Sequence, residues 1–361
     1  MAGVNSSEQV LVYGAAGHTG RFVVEELVRR GLTPVLAGRS IERLASVAPD
    51  LAGLERRVSG VDDPDLLRRT VSGVGVVINC AGPFLDTAAP LARAAVQAGA
   101  HYLDVTAEQQ VVLQLYRDLD APARAAGVAV VPAMAFYGGL PDLLVSAALA
   151  GSRQADEVEI AVGLDRWWPT AGTRATGERN TAVRQVIREG VLAPLENPAS
   201  SGRWSFPDPL GDLPVVQVPF SEVITIDRHL EVGRLRSYLN TAPLDDLHDD
   251  ATPPPAAADD RGRSAQQFVV DVVVRRGSDE RRITSAGRDI YAVTAPIVVE
   301  GAVRLLSGRH GGPGASAPGE AFDAVDVLAA LAQDPDVLTV RRDPLSPLFT
   351  AIDPGRPRRS R

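Results

Sequence analysis

Val10-Leu11-Val12-Tyr13-Gly14-Ala15-Ala16-Gly17-His18-Thr19-Gly20-Arg21 runs an apolar strand straight into three glycines spaced three residues apart. Phe22, Val23, Leu27 and Val28 then give the following segment an apolar face at helical spacing. Strand, glycine turn and helix in this order form a phosphate-binding turn. Gly14 permits the tight turn, Gly17 lets the backbone approach a pyrophosphate, and Gly20 lets the helix pack closely on the sheet. The first amides of the helix are then left aimed at an anion. Gly14, Ala16, Gly17, His18, Thr19 and Gly20 are therefore the expected dinucleotide-facing set.

The second strand bears on which dinucleotide. Thr33-Pro34-Val35-Leu36-Ala37-Gly38 ends in Arg39-Ser40, where an NAD site usually places a carboxylate against the ribose 2′-hydroxyl. Arg39 and Ser40, with Arg43 nearby, suit a 2′-phosphate instead, so the expected cofactor is NADP(H). The competing reading makes Arg39 and Ser40 a cap for a helix beginning at Ile41.

Strand and helix patterns alternate onward: a helix over Ile41–Val47, strands at Glu55–Val58, Val74–Asn79, His101–Asp104 and Val128–Pro132, and helices over Thr87–Ala98 and Gln109–Ala126. Such βαβ repetition predicts an α/β fold, a Rossmann doubly wound parallel sheet with the ligand at the strands' carboxyl ends. The middle of the chain changes character. Glu157–Gly163, Val215–Val218, Leu230–Tyr238, Phe268–Arg276 and Arg281–Ala286 alternate as strands, with a helix expected around Thr181–Gly190. The expected organisation is a dinucleotide-binding domain over 1–135, completed by C-terminal helices within 290–345, and an α+β substrate or dimerisation domain over 136–289.

Composition narrows the classes. The 361 residues carry a net charge of −8 and 45% apolar residues, enough for a large core and unsuited to nucleic acid or an anionic membrane as partner. Much of the acid lies in Asp245, Asp246, Asp249, Asp250, Asp259 and Asp260 around a Pro-Ala run, which predicts a mobile surface loop over 244–264. Pro132, Gly138, Gly139, Pro141 and Asp142 interrupt the apolar stretch 128–150, which argues against a membrane span. Cys80 is the sole cysteine and the five histidines lack paired spacing, so no metal is expected. No basic-then-apolar leader begins the sequence, which predicts a cytoplasmic location. All 37 basic side chains are arginine, which removes Schiff-base and tyrosine–lysine mechanisms.

Four segments in order, Gly14-Ala-Ala-Gly-His-Thr-Gly-Arg21, Leu36-Ala-Gly-Arg-Ser40, Val77-Ile-Asn-Cys-Ala-Gly-Pro-Phe84 and His101-Tyr-Leu-Asp-Val-Thr-Ala-Glu108, resemble the saccharopine dehydrogenase-like oxidoreductases, NADP-binding relatives of the trans-acting enoyl reductases. The resemblance covers about the first 145 residues, and more loosely Tyr291-Ala-Val-Thr-Ala-Pro296 and Ala317-Pro-Gly-Glu-Ala-Phe322. It implies a Rossmann domain completed by C-terminal helices, an inserted α/β domain and nicotinamide-dependent chemistry. It does not imply saccharopine as substrate, because the lysine-bearing active site of true saccharopine dehydrogenases has no counterpart in a lysine-free chain.

The resemblance also implies that the turn Asn79-Cys80-Ala81-Gly82-Pro83 borders the nicotinamide ribose, so Asn79, Ala81, Gly82 and Pro83 join the cofactor set. A plain strand-to-helix turn is the alternative. Tyr137, beside Gly138-Gly139 at the expected domain junction, is the leading proton donor, and Glu108 the second catalytic candidate. A structural tyrosine and a helix cap are the competing readings. Asp104 and Thr106 flank the same strand end and are read as carboxylate and cap. Arg179, in a helix opened by Thr176-Gly177-Glu178-Arg179-Asn180, is read as a clamp for a substrate carboxylate, and Trp168 as the wall of an apolar pocket; an ion pair and interface packing compete. His229 reads as structural. The expected function is an NADP(H)-dependent reduction of a C=N, C=O or activated C=C bond in a small metabolite, with a homodimer as expected assembly. A non-catalytic NADP(H) sensor and an accessory subunit for carrier-linked intermediates stay open.

Overall fold

The computed structural model describes residues 9–47 and 53–342. The expected domain limits before residue 9 and after residue 342 lie outside them.

The first domain alternates strictly: β1 (Val10–Tyr13), α1 (His18–Arg29), β2 (Pro34–Gly38), α2 (Ile41–Ala45), β3 (Arg56–Val58), α3 (Pro64–Thr70), β4 (Val76–Asn79), α4 (Phe84–Gln97), β5 (His101–Asp104), α5 (Gln109–Ala126) and β6 (Ala129–Val131). α6 (Gly139–Leu149) leads into β7 (Gln154–Leu164), α7 (Ala171–Arg179), β8 (Gln185–Arg188), β9 (Val191–Pro194), β10 (Ser201–Ser205), β11 (Asp212–Gln217), α8 (Glu222–His229), β12 (Glu231–Asn240), α9 (Ala242–His248), β13 (Gln267–Arg276) and β14 (Asp279–Arg288). The chain then returns through α10 (Thr294–Leu306), β15 (Gly314–Ala315), α11 (Pro318–Ala321), α12 (Ala324–Leu331) and β16 (Leu338–Arg342).

The first sheet is wholly parallel, in the order β15-β6-β5-β4-β1-β2-β3. Its central strands are buried on both faces, which is why they read as unbroken apolar runs without alternation. The winding reverses between β1 and β4, and the crevice at that switch point opens at the carboxyl ends of the strands. The second sheet is mixed, in the order β10-β11-β12-β7-β13-β14-β16 with the β8–β9 hairpin joined to β12. β7 and β12 pair in parallel while the rest are antiparallel.

α6 explains the long apolar stretch. It is buried along nearly its whole length, packed against β13 and β14 on one side and α8 and α12 on another. No described helix is long and apolar enough to cross a membrane.

Three local expectations are corrected. The segment expected as a helix around Thr181–Gly190 is β8 and a turn at Glu189 and Gly190, both with positive φ, because the adjacent branched residues Val186 and Ile187 are buried in the sheet. Thr176–Asn180 closes α7 instead of opening a helix. The acidic stretch 244–264 is not free chain: it carries most of α9, Asp246 accepts from the Trp167 amide (2.8 Å), and Asp259 binds the Arg263 guanidinium (2.7 Å). Arg174 further donates to the carbonyls of Leu247, Asp249 and Thr252.

The returning helices are keyed to the first domain by a chain of forked ion pairs. Arg30, the C-cap of α1, meets Glu26 (2.7 Å) and Glu300 on α10 (2.5 Å), and Arg304, 2% exposed, joins Glu300 (2.9 Å) to Asp326 on α12 (2.8 Å). Such buried pairs set which helix meets which more than they add net stability. Glu300→Ala leaves the Arg304 guanidinium buried beside only one half-exposed carboxylate, and a loss of about 3 kcal/mol in urea unfolding is expected. A loss within error of zero would mean that the pair is solvated and the keying dispensable.

Candidate active site

The glycine turn has the geometry its sequence requires. Gly14 adopts φ +82°, and a Cβ there would lie 2.9 Å from Ala81. At Gly20 a Cβ would fall 2.2 Å from the Gly14 carbonyl oxygen, so α1 can approach β1 this closely only with glycine. The Gly14 amide is held by Ala37 O (2.8 Å) and the Gly17 amide by Gly14 O (2.8 Å). Gly17 caps α1 without a side-chain hydrogen bond, and the first helical bond is Arg21 N to Gly17 O (3.1 Å). The amides of His18, Thr19 and Gly20 precede it and point out of the helix start, an anion cradle. His18 lies over this turn, edge-on to Phe22 and Tyr291 (5.3 Å between ring centroids in each case), its buried Nε2 without a partner. Burial lowers its pKa, so the ring is neutral.

At the end of β2, Arg39 is exposed and forms no ion pair or hydrogen bond among the described residues. The Ser40 hydroxyl is otherwise engaged: it caps α2 by accepting from Arg43 N (3.2 Å) and donates to Glu42 (2.7 Å). The capping reading therefore describes Ser40, while Arg39 is left for an anion.

Asn79, fully buried at the end of β4, shapes the next turn. Its Oδ1 accepts from the Ala81 amide (3.0 Å) and its Nδ2 donates to Thr87 and Tyr102 (3.2 Å each). Asn79 thus acts through the backbone that carries Ala81, Gly82 and Pro83. Thr176 on α7 sits above this turn, where its hydroxyl would be 3.0 Å from a Cβ at Gly82. Burial, with Asp104 adding to it, pushes the Cys80 thiol pKa up, which leaves the group unreactive.

Two carboxyls organise the ends of β5 and β6. Asp104 is fully buried; its Oδ1 accepts from Thr106 N (3.1 Å) and Ala133 N (2.8 Å), and burial raises its pKa to about 6. The Thr106 hydroxyl accepts from Glu108 N (3.1 Å), a turn bond just ahead of α5 and not the helix cap read for it, since the N-cap is Glu108. Glu108 reaches across to the start of α4, where its Oε1 accepts from the Phe84 amide (3.0 Å), and Oε2 has no partner. Burial raises Glu108 to about 7, against the lowering effect of the Phe84 and Leu85 amides. It is a carboxyl that exchanges its proton near neutrality. Tyr137, buried with its hydroxyl unpartnered, lies against Phe220 (4.1 Å between centroids) and Phe136 (4.9 Å). Burial lifts its pKa well above the ordinary value, so the phenol keeps its proton.

Other expected residues are placed elsewhere. Arg179 is exposed and paired with Asp86 on α4 (2.8 Å), which makes it a latch between domains, not a substrate clamp. Trp168 is half-buried beneath the Arg166 guanidinium (5.1 Å); its neighbour Trp167 is the buried one, donating Nε1–H to the Tyr291 hydroxyl (3.0 Å). His229 pairs with buried Asp142 (2.7 Å); burial alone would lower its pKa, but Asp142 carries it above the ordinary value, a structural pair as read. Gly138 is the cap of α6, with φ +84° and a Cβ position 2.6 Å from Ser221 Oγ.

The sequence reading missed Tyr291, Glu222 and Arg184. Tyr291 joins α7 to the glycine turn through Trp167, Thr170 and Thr173. It stood inside a segment of loose family resemblance, its only signal; the other two had none, since tertiary folding alone brings them to the sheet edge.

Residues 10–131 match the family described as the saccharopine dehydrogenase NADP binding domain. Among curated proteins, the chain is 32% identical over 140 residues to the lipid droplet localized protein of Caenorhabditis elegans, covering 36% of this chain and 33% of that one. It is 28% identical over 145 residues to the saccharopine dehydrogenase-like oxidoreductase of Homo sapiens (35% and 34%), and 33% identical over 105 residues to the trans-acting enoyl reductase of Mycobacterium tuberculosis (27% and 25%). These matches span about a third or less of each relative's length. Apo saccharopine dehydrogenase (L-Glu forming) of Saccharomyces cerevisiae superposes with a TM-score of 0.67 at 13% identity, over 93% of this chain and 100% of that one, which establishes a shared two-domain fold.

The raised Glu108 pKa has a consequence for stability. A carboxyl whose folded pKa lies above its unfolded value, about 4.3, stabilises the fold fully below that value and loses the contribution as pH rises through about 7. Glu108→Gln removes this dependence. The melting temperature of the wild type minus that of the variant is expected to fall steadily between pH 4.5 and 7.5; a flat difference would show that Glu108 titrates normally.

Proposed function

We propose that this chain, whose residues 10–131 match the saccharopine dehydrogenase NADP binding domain family, reduces a C=N, C=O or activated C=C bond of a small metabolite with NADPH. The observation that carries the reading is the sheet edge itself. An anion cradle at His18–Gly20, an unpaired guanidinium at Arg39 and two proton-bearing groups, Glu108 and Tyr137, stand at the carboxyl ends of neighbouring parallel strands.

The residues fit the dinucleotide. A Cβ at Gly14 or Gly20 would fill the cradle, and the uncapped amides of α1 suit a pyrophosphate. Arg39, with Arg43 close by, suits the 2′-phosphate through charge-assisted hydrogen bonds. The nicotinamide, when bound, supplies the hydride. The chain's own residues do the rest: the turn Ala81–Pro83 borders the ribose, and α7, latched by Arg179 to Asp86, covers the cleft against water. Tyr137, a neutral phenol in an apolar wall, delivers the proton, and Glu108 is positioned to exchange one near pH 7.

Fluorescence titration with NADPH and NADH tests the cofactor assignment. Arg39→Ala is expected to weaken NADPH by about tenfold to a hundredfold and leave NADH nearly unchanged; equal losses would remove the 2′-phosphate role. Tyr137→Phe is expected to lower turnover by about a hundredfold or more at unchanged NADPH affinity. Full activity in that variant would transfer the donor role away from Tyr137.

A further inference from the structure

Next to Tyr137 the domain junction holds a buried carboxyl and a half-buried guanidinium that do not meet. Glu222 is 1% exposed; its Oε1 accepts from the Phe220 amide (2.9 Å) and the Ser237 hydroxyl (2.6 Å), while Oε2 has no partner among the described residues. Arg184 donates to Pro219 O (2.7 Å) and lies over the Phe220 ring (4.8 Å). Phe220 gathers all three groups, its ring meeting Tyr137 (4.1 Å between centroids) and Arg184 and its amide donating to Glu222, yet Arg184 and Glu222 form no ion pair among the described residues. Opposite charges this close and this poorly hydrated normally close to contact, because a desolvated charge left uncompensated is costly. Here each is pinned by its own backbone partner. Gln109 fixes the same segments to the sheet edge, bonding Gln185 N (2.7 Å), Gln185 O and Phe220 O (2.9 Å each).

A ligand group meeting all three must accept from the guanidinium and the phenol and donate to the carboxyl. A carboxylate would suit Arg184 but face Glu222, and an ammonium would meet the reverse conflict. An uncharged group that donates and accepts at once meets neither. We propose that Arg184, Glu222 and Tyr137 form the polar end of the substrate site and select substrates presenting a carboxamide or hydroxyl there, with the aromatic wall of Tyr137, Phe220 and Phe136 receiving an apolar portion. This rests on the reading of the cleft as a substrate site.

The test is ligand-observed NMR with four matched probes, benzamide, benzyl alcohol, benzoate and benzylamine, on the full chain with and without NADPH. Benzamide and benzyl alcohol are expected to bind the wild type about tenfold or more tighter than the two ions. Glu222→Gln, which keeps the acceptor for Phe220 and Ser237, should raise benzoate affinity toward that of benzamide, and Arg184→Met should do so for benzylamine. A merely structural role would not move the two rankings in opposite senses. Benzoate or benzylamine binding tightest to the wild type, equal binding of all four, or no binding overturns the proposal, as does a ranking unchanged by Glu222→Gln. If Arg184→Met does not fold, Glu222→Gln decides alone. NADPH fluorescence on the same samples reports separately on the oxidoreductase reading.

Discussion

The carboxyl of Asp104 is the constraint on which the candidate site depends. Buried at the end of β5, one oxygen holds the amides of Thr106 and Ala133, and its own backbone carbonyl accepts from Met134 N (2.9 Å). The first bond folds the turn that delivers Glu108, and the others turn the chain after β6 toward Tyr137. Both candidate proton carriers are thus oriented by one buried side chain. Two backbone donors offset much of the cost of desolvating it, though not all, so its pKa stays raised to about 6.

Around that edge the domains are joined by different physics on its two sides. Behind it, α6 fills the space between the layers with apolar surface, and the Arg30–Glu300–Arg304–Asp326 chain fixes the returning helices on α1. In front, α7 buries none of its residues and is held by polar bonds from Tyr291, from Arg174 to three carbonyls, and from Arg179 to Asp86. Apolar burial and forked pairs hold the rear as one body. Polar bonds that water can replace hold the front, where a cofactor must enter.

The first domain was legible because its signals are local. Val10–Tyr13 and the glycines after it name a strand and a turn by steric need alone, and the spacing of Gly14 and Gly20 anticipates the backbone approach found between them. The second domain was legible only as strands. The segment 181–190 misled because isolated polar and branched residues lack a period long enough to separate helix from hairpin, and pairing with β12 decided it. The partners of Arg179 and Trp168 were illegible for a related reason. Their chemistry suited the role, but Asp86 and Arg166, distant or unremarkable in sequence, had the first claim on them.

The sequence by itself determined the phosphate turn, the absence of a carboxylate at Arg39, the parallel sheet and the exclusion of lysine chemistry, since each follows from residue type at fixed local spacing. The tertiary structure alone decided which polar groups face the cleft without a partner. Glu222 and Tyr137, each left with such an atom among the described residues, come from segments far apart in the chain. Whether a buried group is satisfied depends on neighbours that only folding supplies.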